Sequence, residues 1–567
     1  MKIKLFAFFT ALGWITSSLN ARTGMADTIY SGGSIITIND AAPLAEALAV
    51  KDGKILAVGS RADVLRTRSS STILIDLGGK TLLPGFLDGH SHFINSLTVA
   101  TQANVYAPPF GPGNTIEGIV GALRKLQKEQ NIKPGETIMA YGYDDNALPA
   151  GHQLSAADLD PFFPDNPVMV GHVSLHGAVL NSAALKKYNI TAKTITPEGG
   201  IIARKPGSSE PAGLLMETAF LPIFAQLPKP GPEESMAALE KGQKIYAAAG
   251  ITTAQEGATH LADLRILQKG AAAGKLFIDV VAYPFITETD AILKINPPST
   301  FGKYQQGLKL GGIKITADGS PQGRTAFFTT PYLQGGPGGE TDWRGEPTFP
   351  LPMLNGMIKK VYDLGLPLLI HANGDAAIDA VLAGHEAALG DKKAGNHRTS
   401  IIHCQFVRKD QLEKIAAWNL IPSFYTEHTY FFATTHIANR GRAQAEFLSP
   451  LKTALSKGIR FTNHTDFNVA PIDQLFVLWT AVNRVSRENE VIGAHERITP
   501  MEGLKALTIN AAYTCREEAF KGSLEPGKLA DLVILDKNPL TVDPLSIRDI
   551  KVMETIKAGK TVFTAGH

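Results

Sequence analysis

Apolar and polar residues change rhythm twice along this chain. From residue 27 to 85 they alternate in three short runs, DTIYSGGSIITI (27–38), AEALAVKDGKILAVG (45–59) and STILIDLGGKTLLPG (71–85). A period of two with turn residues between runs predicts half-buried strands, and Lys51-Asp52-Gly53 between two apolar runs predicts a tight hairpin. The same rhythm returns in GKLADLVILD (527–536) and IKVMETIKAGKTVFTAG (550–566). Two all-β ends around a different middle predict one small β-sandwich built from both termini.

The middle alternates short apolar runs with helical stretches, which predicts βα repeats and a parallel sheet. The runs lie at 81–88, 251–256, 276–283, 311–316, 366–371, 399–403, 420–425 and 459–466. Eight such units close into a (β/α)8 TIM barrel, an α/β fold whose active site lies at the C-terminal ends of the strands. Two connections are too long for plain βα units. Residues 95–249 are expected to form a subdomain inserted after the first barrel strand and lying over the mouth. The Gly/Pro-rich stretch 320–350 is expected to be a loop able to act as a substrate lid. The predicted division is a signal peptide at 1–26, the sandwich at 27–83 and 513–567, and the barrel at 84–512.

Lys2 and Lys4 followed by LFAFFTALGWI have the form of a secretory leader, too short to span a bilayer. Cleavage is expected before Asp27, with Ala21 as a weaker site, and the mature protein is expected in the periplasm or outside the cell. Removing residues 1–26 takes away Lys2, Lys4 and Arg22 and no acid, which moves the formal charge from +2 to −1. That charge does not suggest a nucleic-acid partner. No later stretch is apolar for long enough to cross a membrane. Cys404 and Cys515 are expected to be core thiols rather than a disulfide.

Chemistry concentrates where the predicted strands end. His90 and His92 close the first, Glu256 the second and Tyr283 the third; Lys314 lies in the fourth; His371, His403 and Tyr425 close the fifth to seventh; His464 and Asp466 end the eighth. An HxH pair alone is ordinary, since residues i and i+2 of an extended chain face the same way whether or not they bind anything. Four imidazoles and a carboxylate converging on one mouth form a zinc-type site. Taken singly, His371 and His403 read equally well as barrel-core histidines, and Asp466 as a helix cap. Lys314 is the discriminating residue. As an ammonium it repels metal and pairs with Asp318 or Asp466; as a free amine it reacts with carbon dioxide to give a carbamate able to bridge two metals.

The motifs LPGFLDGHSHF, GGIKITADGSPQGRTAFFTTPY, HANGDAAID, IIHCQF, FTNHTD and EPGKLADLVILDKNPL, in this order, resemble the metal-dependent amidohydrolase superfamily. The likeness is to its amidohydrolase 3 branch, YtcJ-like and N-substituted formamide deformylase-like, and covers essentially the whole mature chain. It implies a barrel flanked by a β-sandwich and holding one or two divalent ions, with zinc the expected identity. On that resemblance His90 and His92 ligate the more buried ion, His371 and His403 the more exposed one, and carbamylated Lys314 bridges. Asp466 both touches metal and serves as the catalytic base and acid. HTD at 464–466 departs from the small residue that many amidohydrolases have before the aspartate, which leaves the role of His464 open between substrate contact and support of a ligand.

Substrate contacts are expected from His172 and His176 in GHVSLHGAVLNSAAL, from Arg324 in the long loop, and from His428 and His464. Asp144, Asp145 and Thr426 are weaker candidates, and Glu217 reads as a helix-surface residue. The expected activity is hydrolysis of a non-peptide carbon–nitrogen bond in an amide, N-formyl or cyclic amide substrate. Alternatives are a mononuclear deaminase, an ester, lactone or phosphoester hydrolase on the same centre, and an exported binding or regulatory protein on a degenerate scaffold. Phe327, Phe328, Tyr332, Tyr430 and Phe431 suit either an apolar or aromatic substrate pocket or the packing of the lid. A homodimer is expected from the family likeness.

Overall fold

In a computed structural model of the chain, residues 24–566 are described apart from 150–151, 174–176, 198–199, 225, 228–230 and 338–339. Almost all of the expected leader, and His176, therefore lie outside the described residues.

Both ends of the chain meet in one sheet. Its order is Lys560–Thr564, Val552–Lys557, Leu532–Leu535, Thr81–Pro84, Thr28–Ile36, Leu44–Lys51 and Lys54–Gly59, with Ile73–Asp76 also paired to Thr28–Ile36. The two neighbours of Thr28–Ile36 arise from a bulge. Its first half runs parallel to Ile73–Asp76 and its second half to Thr81–Pro84, with the break at Gly32-Gly33. Gly32 has φ +80°, and a Cβ on Gly33 would lie 2.1 Å from the Lys80 carbonyl oxygen, so side chains are excluded there. The expected sandwich is thus a single hydrogen-bonded network in which one strand divides between two partners. Asp52 and Gly53 both have positive φ, 49° and 73°, as a two-residue hairpin of right-handed twist requires.

The middle of the chain is mixed α/β and TIM-barrel-like. Phe86–Leu87, Ile251–Thr259, Asp279–Pro284 and Leu308–Leu310 pair in parallel in one sheet. Ile313–Thr316, Leu368–Ala372, Ser400–His403, Ile421–Phe424 and Thr462–Asn463 do so in a second. The two sheets are tied at both edges. Phe285 forms a parallel bridge with Lys314, and on the far side the Asp466 N–H donates to the His90 carbonyl at 3.2 Å and the His92 N–H to that of Phe467 at 2.9 Å. Leu308–Leu310 and Ile313–Thr316 occupy the place of one expected strand, interrupted at Gly311-Gly312, where a Cβ would strike the Tyr283 ring at 2.6 Å and the Pro367 carbonyl at 2.2 Å.

The run TLLPGFLD does not form one strand. Thr81–Pro84 belongs to the terminal sheet and Phe86–Leu87 to the barrel-like sheet, and Gly85 is the point of transfer. Its N–H donates to Asp531 at 2.8 Å, and a Cβ there would lie 2.4 Å from Thr252. Apolar content runs straight through the transfer, so the pattern alone shows no break.

Within the long first connection, six strands form a separate sheet in the order Gly200–Arg204, Pro211–Glu217, Gly177–Leu180, Val168–His172, Ile138–Tyr143 and Ala103–Asn104. The helix Ile116–Glu129 buries Ile119, Val120, Leu123 and Leu126, an i, i+3, i+4 face, against it. The helix Pro232–Ala248 packs with Phe93–Val99 in the main core instead. Arg487 reaches across to Asp144 at 2.8 Å and ties this sheet to the barrel-like body.

The described residues of the 320–350 loop are anchored rather than free. Phe328 and Tyr332 are buried against Phe406 and Leu448, the Arg440 guanidinium lies 3.9 Å from the centre of the Phe328 ring, and Arg440 donates to the Thr330 and Pro331 carbonyls at 3.0 and 2.9 Å. These aromatics pack the loop down. Cys404 and Cys515 are both free thiols.

At the N-terminal ends of the strands, Asp279, Lys309, Glu517, Lys521, Asp531 and Lys557 form a buried ionic network. Lys521 lies 2.5 Å from Asp279 and 2.7 Å from Glu517, Lys557 is 2.6 Å from both Asp279 and Asp531, and Lys309 pairs with Glu517.

Candidate metal centre

Parallel register brings the histidines to one level. Thr316 lies opposite His371, Ala372 opposite His403 and His403 opposite Phe424, while His90 and Asp466 join across the closing edge. Which nitrogen each imidazole presents is fixed by its surroundings. Gln255 Nε2 donates to the Gly89 carbonyl at 3.1 Å, so its Oε1 faces His90 Nδ1 at 2.6 Å and that nitrogen carries the proton. His90 Nε2 is then the unprotonated nitrogen; it accepts from Lys314 Nζ at 3.0 Å and lies 3.7 Å from Asp466 Oδ1.

His403 is set in the same way through a longer chain. Ser423 Oγ donates to the Gly89 carbonyl at 3.4 Å and accepts from Thr462 Oγ1 at 2.7 Å, which leaves it an acceptor toward His464 Nδ1 at 2.9 Å. His464 Nε2, without a proton, accepts from His403 Nδ1 at 3.1 Å. His403 Nε2 is therefore the nitrogen left for a ligand, the support that metal-bound histidines require. Replacing His464 with phenylalanine should keep its stacking on Tyr425 and weaken metal binding about 10- to 100-fold. Competition with a chelator measures this, and an unchanged affinity would show that His464 does not orient His403.

Electrostatics agree with a metal-ready state. Burial, with help from Lys314, holds His90 well below the usual histidine range, and burial and nearby histidines do the same to His403. Burial alone would raise Asp466, but His403, His92 and His90 override it and keep the carboxylate ionised. Its Oδ1 is buried without a hydrogen-bond partner. Asp466, His403 and Cys404 all have left-handed backbones, φ 54°, 66° and 45°, a conformation of non-glycine residues that gathers at functional sites. The ligand atoms of His90, His403 and Asp466 lie within 4.8 Å of one another. Two neutral imidazole lone pairs and an orphaned carboxylate oxygen fit a divalent ion.

His92 stands beside this group with Nε2 3.5 Å from Asp466 Oδ1. The His371 ring centre is 4.6 Å from that of His403, but its Nε2 faces the Gly319 carbonyl, Asn373 Nδ2 and Asp318 at 3.0 to 3.3 Å. Lys314 is fully buried, which pushes its amine down to about 8. It pairs with neither Asp318 nor Asp466; Asp318 instead accepts the Phe327, Asn373 and Gly374 backbone N–H groups.

Of the expected substrate residues, His428 is buried with Nδ1 3.0 Å from His436 Nε2, and its ring lies 4.4 Å from Tyr425. Arg324 donates to the Gln334 and Gly335 carbonyls of its own loop. His172 lies 3.2 Å from Asp145 and borders a cavity. Tyr283, next to last in its strand, faces Cys515 at 4.0 Å, inside the barrel-like body rather than at its mouth. Gln255 and Ser423 carry no sequence signal beyond their places in strands; Asn373 stands inside a quoted motif with no signal of its own, and Asp318, expected only as a partner of Lys314, instead holds backbone N–H groups.

The chain is similar in sequence to YtcJ of Bacillus subtilis, 27% identical over 94% of this chain and 99% of the relative. It is 24% identical to the N-substituted formamide deformylase of Arthrobacter pascens, over 95% and 98%. In fold it is similar to a crystal structure titled an uncharacterized metal-dependent hydrolase from Pyrococcus furiosus, with a TM-score of 0.69 and 24% identity over 91% of this chain and all of that one. The sequence profile of the Amidohydrolase family matches residues 74–563, so the chain belongs to that family.

Proposed function

We propose that this chain is an exported metal-dependent hydrolase that opens a non-peptide carbon–nitrogen bond, in a linear amide, N-formyl or cyclic amide substrate. One observation carries this reading: His90 and His403 each turn Nδ1 to a protein acceptor, which leaves Nε2 as the ligand nitrogen, and one ligand atom from each lies within 4.8 Å of a carboxylate oxygen of Asp466. His90, His403 and Asp466 would hold a zinc-type ion, with His92, His371 and Lys314 as further ligands. Such an ion supplies a Lewis acid for the carbonyl and acidifies water beside it. Asp466 takes a proton from the attacking water and returns it to the leaving nitrogen as the carbon–nitrogen bond breaks.

Lys314 has the burial and low basicity that favour its reaction with carbon dioxide. The neutral amine nitrogen bonds the carbon of carbon dioxide and gives up one proton, so a neutral group becomes an anion among the proposed ligands; starting from the ammonium, two protons leave in all. The two parallel sheets read together as one eight-stranded barrel with this centre at its mouth.

Export rests on the leader sequence. Ala26 is buried, donates to the Thr67 carbonyl at 2.8 Å and accepts from Thr72 Oγ1 at 2.7 Å. Those contacts support cleavage at Ala21 over cleavage before Asp27, and mass spectrometry of the mature N-terminus decides between them.

Elemental analysis of protein purified without chelators and with bicarbonate tests the centre. About two zinc-like ions per chain are expected, falling in Lys314→Ala, with hydrolysis of N-formyl or amide substrates above that of matched esters. One ion, indifferent to the substitution, would remove the bridging lysine. No ion after reconstitution would overturn the hydrolase reading.

A further inference from the structure

Glu256 stands opposite His92, and nothing in the proposed chemistry uses it. It is 2% exposed, lies in the strand Ile251–Thr259 and forms an antiparallel bridge with His92. Beside that bridge the Gly257 N–H donates to the Ser91 carbonyl at 2.9 Å, and a Cβ on Gly257 would lie 2.1 Å from the His90 ring. Three successive residues of this strand thus bear on the histidine pair. Gln255 sets the tautomer of His90, Gly257 leaves room for its ring, and Glu256 takes the backbone N–H two places past His92.

His92 is also the N-cap of the helix Phe93–Val99. A helix start leaves backbone N–H groups without partners, and the N-cap side chain ordinarily accepts one of them. His92 makes no such bond. The Ile94 N–H donates instead to Glu256 Oε2 at 2.7 Å, and the Asn95 N–H to the His92 carbonyl at 2.9 Å. Glu256 Oε1 accepts the Ala258 N–H of its own strand at 3.1 Å, so backbone groups fix both carboxylate oxygens. The imidazole released from capping stands with Nε2 3.5 Å from Asp466 Oδ1.

We propose that Glu256 is the positioning residue of His92: by accepting the N–H that the cap side chain would otherwise claim, it leaves the imidazole to the metal centre. The proposal rests on reading His92 as a ligand of that centre. Without Glu256 the Ile94 N–H is an uncapped donor at the start of a helix, and the side chain placed to cap it is the His92 imidazole itself. Capping draws that ring back over the helix and away from Asp466.

A double-mutant cycle on the full-length protein separates this role from a general effect on the fold. Zinc affinity is read by competition with a chromophoric chelator. Glu256→Ala should bind zinc about 10- to 100-fold more weakly than the parent, the usual cost of losing the support behind a histidine ligand. In the His92→Ala background the same substitution should leave affinity within about twofold, because no imidazole remains to be misdirected. A substitution that merely loosened the fold would weaken binding by the same factor in both backgrounds. Should Glu256→Ala fail to fold, as its melting curve shows, Glu256→Gln carries the cycle: one oxygen then serves two N–H groups, and its smaller loss should vanish likewise with His92→Ala. Parent affinity in the folded Glu256 variant, or an equal loss with and without His92, overturns the proposal and leaves the ligand set standing. Parent affinity in His92→Ala removes His92 from the ligands, and the positioning role falls with it.

Discussion

Replacing Asp466 with asparagine should lower kcat about 10³-fold, within the range of a lost general acid and base. Asparagine keeps the shape and one acceptor oxygen and removes the charge. Two consequences follow from geometry. His90 and His92 lie 3.7 and 3.5 Å from Oδ1, so the charge that complements their side of the site is gone. The proton taken from water also has nowhere to rest before the nitrogen leaves. Steady-state kinetics on an N-formyl or amide substrate, with metal content measured on the same sample, tests this. A kcat within tenfold of the parent at full metal occupancy would assign the proton transfers to another group.

The second large effect is on stability. Replacing Lys521 with methionine should destabilise the protein by about 3–5 kcal/mol, the usual result of removing one partner from a buried ionic group. Lys521 is 2% exposed and faces both Asp279 and Glu517, so the substitution leaves two buried carboxylates short of a cation. Lys557 still serves Asp279 and Lys309 still serves Glu517, which sets the upper bound. Denaturant unfolding of the two proteins side by side gives the difference, and a loss below about 1 kcal/mol would show that the network relaxes around the gap.

The same network predicts an acid limb. Burial alone would raise Asp279 and Glu517, but Lys557 and Lys521, and Lys521 and Lys309, override it and hold both below their ordinary values. A carboxylate lowered in the folded state contributes stability above its unfolded value, near 4, and loses that contribution as pH falls through the folded value. Stability should therefore decline below about pH 4, and less steeply in Lys521→Met.

The proposed ligand set was legible because it lies at or just past strand ends, where apolar runs stop and a polar residue is conspicuous; His90, His92, His371, His403 and Asp466 all stand there. Lys314 was legible for the opposite reason, as a charge inside a strand. Gln255 and Ser423 were not, because their importance is which atom they turn to which nitrogen, and that depends on neighbours 165 and 41 residues away. The transfer at Gly85 was hidden because two different buried environments follow one another without a polar residue between them. Tyr283 misled because a residue near a strand's end faces the mouth or the interior according to a half-turn of pleat that short runs do not reveal.

The strand Thr81–Pro84 receives its antiparallel partner, Leu532–Leu535, only after about 450 intervening residues. Until those arrive it is an apolar edge with a free row of backbone groups, the form of strand most open to association with other chains. Pairing that edge requires a long loop closure. A chain cut short before residue 532 would keep every proposed ligand and still present that edge, so loss of its final residues should show first as aggregation and only afterwards as lost chemistry.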